Sequence, residues 1–356
     1  MQSPPLEIQN QKIIILCRDV GGYLARLGNF LGKSNDVVFI DLTHGAKDLP
    51  WLPGKLRRWL KKYLIVKRAR AAIRAAGHAD ALLVVNPSQL DQGLVTQAQA
   101  AAALSVAYLS DGIARLSMPI DQLATFDKVY TFDGADAREY RLRKLYNYIY
   151  EEHADFKTTS DFKAFVVMGG KHRVDVLGRV AQAFEQLGYA STCKFLVQSK
   201  PVPGASPLLT FFRQRMDINE TAEYVRRSEI LIDIVRPGHA GLSFRFFEAL
   251  LYRKKMITNN ASVADYDFYD PCNILIIDSD HPVIPESFIN GDYVDLPEEV
   301  VQRYSMASWA NEVSVRPQPA RRGYPLPSLK HSAGLLWHLA MPCAGMGTRC
   351  TSTSRR

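Results

Sequence analysis

Apolar runs of strand length alternate with helical patterns in two successive series along this chain, and that alternation leaves few folds open. The first series occupies 12–17, 37–42, 81–86, 106–111 and 128–133, and after a polar stretch from Glu151 to Asp161 a second occupies 164–168, 194–198, 230–235, 255–258 and 273–278. Short continuous runs of this kind suit strands covered on both faces, as in a parallel sheet. Helical patterns between them make each half a doubly wound α/β domain, and two such halves joined by a linker imply a cleft. Ligands of such sheets gather at the carboxyl ends of the strands, and several runs end there in a polar residue, Asp111 and Asp133 among them. The expected organisation is a flexible start over 1–11, an α/β domain over 12–155, a second over 156–297, a closing helix over 298–313 and a basic, disordered tail over 314–356. Pro317, Pro319, Pro325 and Pro327 break any helix in that tail.

A chain of 356 residues, 47% hydrophobic, can bury a large core in two domains. Its formal charge of +8 resembles a nucleic-acid signal, but seven basic residues after Glu312 account for +7 of it and leave the body near neutral. Overall charge therefore gives no ground for a nucleic-acid partner. One cluster in the body stands out. Between Asp48 and Asp80 lie nine basic residues, Lys55 to Arg74, and no acidic one, with Leu56, Trp59, Leu60, Tyr63 and Leu64 among them at helical spacing. A basic amphipathic helix over 55–74 can lie on an anionic membrane surface or pack its apolar stripe on its own domain. Five scattered cysteines indicate neither a disulfide framework nor a zinc site. No stretch reaches the roughly 18 apolar residues of a membrane span, and the polar start lacks a signal-peptide core, so the expectation is a cytoplasmic protein, at most peripheral on the membrane.

Two turns invite a phosphate. Met168-Gly169-Gly170-Lys171-His172-Arg173 follows the first strand of the second half, where glycines let the backbone approach an anion and Lys171 and Arg173 can neutralise it. Gly241-Leu242-Ser243 follows the strand at 230–235 and opens a helix, so free backbone N–H groups at that helix start would face a phosphate. Arg245 falls in the first turn of the helix, near enough to pair with phosphate, and Glu248 further along can reach a ribose hydroxyl. In the first half, Asp19 and Asp111 follow strands that open on the cleft, and either carboxylate could act as a general base. An Asp before Gly also serves as a turn-former or helix cap. The strings Asp265-Tyr266-Asp267 and Asp278-Ser279-Asp280 read as loop caps rather than metal ligands, and no metal or other cofactor is expected.

Taken together, Gly170-Lys171-His172-Arg173, Asp233 to Arg245 with its His239-Ala240-Gly241-Leu242-Ser243 core, Glu248-Ala249-Leu250, Ile257-Thr258-Asn259-Asn260 and Tyr266-Asp267-Phe268-Tyr269-Asp270 resemble the donor domain of GT-B glycosyltransferases. The likeness is to the bacterial lipopolysaccharide-core, capsule and spore-maturation type. Tyr108-Leu109-Ser110-Asp111-Gly112-Ile113 and Phe126 to Asp133 extend it to the first half, so that it spans about 12–309. The resemblance implies two facing domains, a nucleotide-sugar donor on the second and a glycan or glycolipid acceptor on the first. It assigns diphosphate contacts to Gly170, Lys171, Arg173, Gly241, Leu242 and Ser243, and the ribose to Glu248. Related retaining enzymes often carry a second Glu eight positions before the ribose-binding one. Ala240 stands there, and His239 is the substitute for a sugar contact. The expected activity is metal-independent sugar transfer to an envelope acceptor, with an epimerase or hydrolase on the same scaffold, or a non-catalytic sugar-nucleotide-binding protein, as alternatives. Glu248→Ala is then expected to abolish donor binding and leave the unliganded fold intact. An NAD enzyme ranks lower, because Arg18-Asp19-Val20-Gly21-Gly22 replaces the GxGxxG turn after the first strand.

Overall fold

A computed structural model describes residues 4–43, 51–152, 160–236 and 238–314. The expected tail beyond Ser314 lies outside the described residues. In the first domain the strands are β1 (Lys12–Cys17), β2 (Asp36–Asp41), β3 (Ala79–Val85), β4 (Ala102–Leu109), β5 (Lys128–Thr131) and β6 (Arg143–Lys144), in sheet order β2-β1-β3-β4-β5-β6. In the second they are β7 (Phe162–Gly169), β8 (Cys193–Gln198), β9 (Thr210–Phe212), β10 (Ser228–Asp233), β11 (Lys255–Thr258) and β12 (Ile274–Ile276), in order β12-β11-β10-β7-β8-β9. Every pairing within both sheets is parallel. Helices lie between the strands, including Tyr23–Leu31 and Gln92–Ala100 in the first domain and Val174–Gln186, Ile218–Arg226 and Phe244–Tyr252 in the second.

The continuous apolar runs follow from burial on both faces. Along β1, Ile13, Ile15 and Cys17 enter one core while Ile14 and Leu16 enter the core on the other side. Successive side chains of a strand point to opposite faces, so only an all-apolar run can serve both. Loops at the carboxyl ends of the two sheets meet one another, as in the contact of Asp133 with Ala240 and Gly241, so the domains face each other in the GT-B arrangement.

The strands β6 and β9, of two and three residues, have no counterpart among the apolar runs. Each is an edge strand too short to show a pattern, and β6 is Arg-Lys. At the start of the chain, residues 4–11 are tied down rather than flexible. Ile8 is buried in the first core, the Glu7 N–H donates to Asn311 Oδ1 at 2.9 Å and the Asn10 N–H to the Ser34 carbonyl at 2.8 Å. The expected closing helix is two, Glu298–Arg303 and Met306–Ser314. Met306, Trp309, Ala310 and Val313 of the second pack into the first domain's core, and Tyr130 donates to the Glu312 carbonyl at 2.9 Å, so the chain returns to the domain where it began.

Candidate active site

Both sheets have a point where strand order reverses, between β1 and β3 in the first and between β7 and β10 in the second. Crevices outside the carboxyl ends of strands at such points are where open α/β sheets bind ligands. The two turns singled out in the sequence follow β7 and β10, and so flank the second of these points.

Gly170 stands at φ 98°, and a side chain built there would touch nothing within 4 Å, so the backbone is both left-handed and open to approach. Arg173 closes the short turn Lys171–Arg173. One guanidinium nitrogen donates to the Ile234 carbonyl at 2.8 Å and the other to the Gly169 carbonyl, so the cation straddles the ends of β10 and β7. Its Nε is buried and has no partner among the described residues. A buried donor without a partner is uncommon and carries a cost that a ligand acceptor can relieve. Burial lowers the Arg173 pKa, with Asp233 nearby opposing the effect. The Lys171 side chain lies outside the described part of the structure.

Across the cleft, Asp111 at the end of β4 lies 3.4 Å from His239 Nε2. The Arg115 Nε holds the other Asp111 oxygen at 2.9 Å. Both partners of the Asp111–His239 contact are largely enclosed, at 18% and 13% side-chain exposure, which places them inside the cleft and still reachable. Burial raises the Asp111 pKa, against the pull of Arg115 and His239. Asp136 stands in the same group; its carboxylate accepts from the Ile113 N–H at 2.8 Å, and burial raises its pKa as well.

The Gly241 turn is occupied from the opposite domain. The Ala240 and Gly241 N–H groups donate to Asp133 Oδ2 at 2.8 and 3.1 Å, while Asp133 Oδ1 accepts from Ala135 at 2.8 Å and Asp136 at 3.3 Å. Burial opposes the Asp133 charge, but these four N–H groups outweigh it and hold the pKa below the ordinary value. The two amides expected to face a phosphate therefore already grip a carboxylate. Glycine at 241 answers to a different neighbour, since a Cβ there would fall 2.4 Å from the Phe132 ring. Leu242 is buried and its carbonyl accepts from Asn147 Nδ2 at 2.9 Å. Ser243 caps the helix Phe244–Tyr252, accepting from the Arg245 N–H at 3.2 Å and donating to Asp233 Oδ1 at 2.7 Å.

Arg245 and Glu248 sit within the domain junction rather than on the cleft wall. Glu248 is 2% exposed, pairs with Arg245 one turn earlier on the same helix face, and accepts from the Tyr150 hydroxyl at 2.5 Å. Tyr23 stacks on Phe244 over this pair with ring centroids 3.9 Å apart. Burial pushes the Glu248 pKa up, and Arg245 beside it opposes that. Glu248 thus stands against a buried cation, so its removal is now expected to cost fold stability as well as any ligand contact. Asp19 is likewise engaged by backbone, accepting from Gly22 at 2.8 Å and Ala25 at 2.7 Å, and clamps the start of helix Tyr23–Leu31. Of the two base candidates, Asp111 is the one beside a residue of the facing domain. Asp267 pairs with Arg303 and accepts from the Tyr304 hydroxyl at 2.6 Å, and Asp278 caps the turn to Asp280 and His281.

The sequence reading missed three members of the site: Asp133 as a partner of the Gly241 turn, Phe132 as the reason for its glycine, and Arg115 as the partner of Asp111. Asp133 had a signal, as a polar residue closing an apolar run. Arg115 had one too, four residues from Asp111 on a helical turn.

No protein-family model matches this chain, and no curated protein matches it. Solved structures similar to it include an alpha-glucosyltransferase in complex with UDP and a 13-mer DNA, at 11% identity and TM-score 0.49 over 86% of this chain and 95% of that one. A UDP-forming alpha,alpha-trehalose-phosphate synthase from Burkholderia xenovorans is similar at 10% identity and TM-score 0.47, over 85% of this chain and 98% of that one. A Listeria monocytogenes protein assigned as a UDP-N-acetylglucosamine 2-epimerase is similar at 9% identity and TM-score 0.43, over 86% and 95%.

Proposed function

We propose that this protein is a metal-independent glycosyltransferase that passes a sugar from a nucleoside-diphosphate donor to a hydroxyl of an envelope polysaccharide, lipopolysaccharide core or related glycolipid, working at the inner face of the cytoplasmic membrane. The observation that carries this reading is the Arg173 guanidinium at the β7/β10 reversal point, its Nε buried and unpartnered among the described residues, beside the open backbone of Gly170. A diphosphate at that place meets a cation and an approachable main chain in one crevice. His239, in the turn after β10, lies 3.4 Å from Asp111, and the donor's sugar and the acceptor would meet beside that contact.

In the transfer, the acceptor oxygen bonds to the anomeric carbon while the bond from that carbon to the diphosphate oxygen breaks. The departing diphosphate keeps the bonding electrons, and Arg173 stabilises the charge that grows on it. Asp111 takes the acceptor's hydroxyl proton, and its raised pKa makes it a better base than an exposed carboxylate. Arg115 and His239 fix its orientation.

The test is incubation of the full chain with a panel of nucleotide sugars and envelope glycans, read by mass spectrometry for a sugar–acceptor product and free nucleoside diphosphate. Turnover with at least one pair, reduced about a hundredfold or more in Asp111→Asn, supports the reading. Free sugar or an epimer formed without acceptor would replace it with hydrolysis or epimerisation, and donor binding with no turnover on any acceptor would make the site a binding site only.

A further inference from the structure

The helix Gly54–Ala76 carries two apolar stripes that face opposite ways. Ala69, Ile73 and Ala76 are buried against the first domain's core, with Ile65 and Ala72 packed beside them. At about 100° per residue, the stripe Leu56, Trp59, Leu60, Tyr63 and Leu64 points roughly 190° away from that core-facing set. Exposure agrees with the rotation, since Trp59 is 61% exposed, Tyr63 50%, Leu56 47% and Leu64 38%, and Trp51 just upstream is 75% exposed. The sequence left open whether this apolar pattern packs on its own domain. The second half of the helix does so, and among the described residues the first half does not.

Length explains why the first half stands clear. Its 23 residues span about 34 Å, whereas the neighbouring six-residue β2 spans about 20 Å. The helix starts on the side where β2 ends and runs back to the start of β3, so its first turns overhang the carboxyl edge of the sheet, the edge that carries Asp111. Trp59 and Tyr63 stack on each other in that overhang, centroids 5.7 Å apart. Lys55, Arg58, Lys61 and Lys62 surround them, all exposed, and no acidic residue occurs between Asp48 and Asp80.

We infer that this overhanging half-helix docks the protein on an anionic lipid bilayer, with Trp51, Trp59 and Tyr63 at headgroup depth and the surrounding lysines and arginines on lipid phosphates. Aromatic rings favour that depth because one end is apolar and the other wet, and each cation close to an anionic surface adds attraction that salt screens. No described helix is long and apolar enough to cross a membrane, so the contact is at the interface. Docked this way, the carboxyl edge of the first sheet, and hence the Asp111 side of the cleft, is turned toward the bilayer. The inference concerns a surface separate from the cleft and does not depend on sugar transfer.

Flotation with vesicles tests it, comparing phosphatidylcholine alone with phosphatidylcholine containing about 30% phosphatidylglycerol, on the full chain and two variants. The first variant, Trp59→Ser with Tyr63→Ser, removes the aromatic stripe; the second, Lys55→Glu, Arg58→Glu, Lys61→Glu and Lys62→Glu, reverses the charge. All six positions are exposed, so circular dichroism melts should match the parent. The expected result is binding to the anionic vesicles, loss of most of it in 0.5 M salt, a weakening of about tenfold for the aromatic pair and about a thousandfold or more for the charge reversal. Equal binding of parent and variants, equal binding to neutral vesicles, or displacement of the parent from anionic vesicles by a short DNA duplex would overturn the inference.

Discussion

Replacing Glu248 with alanine should unfold this protein more readily before it does anything to a ligand. The side chain is 2% exposed and its carboxylate faces Arg245, itself 9% exposed, and the Tyr150 hydroxyl. Deleting one member of a buried ion pair leaves the other charge desolvated and unpaired, at a cost of about 3–5 kcal/mol. An unsatisfied Tyr150 hydroxyl adds about 1 kcal/mol. At about 2–4 °C per kcal/mol for a domain of this size, the melting temperature should fall by roughly 10–20 °C. The double variant Arg245→Met with Glu248→Leu separates pairing from packing. It removes both charges and keeps the volume apolar, so it should melt within a few degrees of the parent, and the two sites should be strongly coupled in a double-mutant cycle. Differential scanning calorimetry on the parent, Arg245→Met, Glu248→Leu and the double variant gives all the terms of the cycle, with Glu248→Ala measured beside them. A Glu248→Ala variant that melts like the parent yet loses nucleotide-sugar binding would refute this reasoning and return Glu248 to the ribose.

Removing the Asp133 carboxylate, as Asp133→Ala, should cost about 2–3 kcal/mol by freeing the Ala240 and Gly241 amides, measured by urea denaturation. Because the folded pKa of Asp133 is depressed, its contribution is present above the unfolded carboxylate value of about 3.9 and is lost as pH falls through the lower folded one; the acid limb of the stability curve should flatten in that variant. Gly241→Ala places a methyl group within the Phe132 ring's volume and should destabilise by about 1–3 kcal/mol, whereas Gly241→Ala with Phe132→Leu should recover part of that loss. For transfer activity, the acid limb of kcat/KM should lie above the ordinary carboxylate range, since the base must be unprotonated and burial raises the Asp111 pKa; Arg115→Gln, which removes a neighbour that lowers it, should shift that limb further up.

The two-domain α/β architecture is legible because parallel strands buried on both faces demand continuous apolar runs, and ten of the twelve strands among the described residues carry one. The edge strands β6 and β9 escape for the reverse reason. The site is less legible. Gly241 signals a close approach, but a glycine records only that something comes near, and here it is Phe132 rather than an anion. Arg245 and Glu248 each look like a ligand contact when considered singly. Their three-residue spacing on one helix face was the signal that they could satisfy each other, and the aromatic residues around them pointed to burial. The Asp111–His239 contact joins residues 128 positions apart, which no local pattern encodes. Each residue shows only its own chemistry in the sequence, and the fold brings them within 3.4 Å.

Titration calorimetry of the full chain with a panel of nucleoside diphosphates and their sugars, repeated on Arg173→Gln below its melting temperature, reads the crevice at the β7/β10 reversal point most directly. At least one member of the panel should bind the parent, and binding should weaken by about tenfold or more when the guanidinium is gone. Failure of every member to bind, or equal affinity for parent and variant, would contradict a diphosphate site at Arg173.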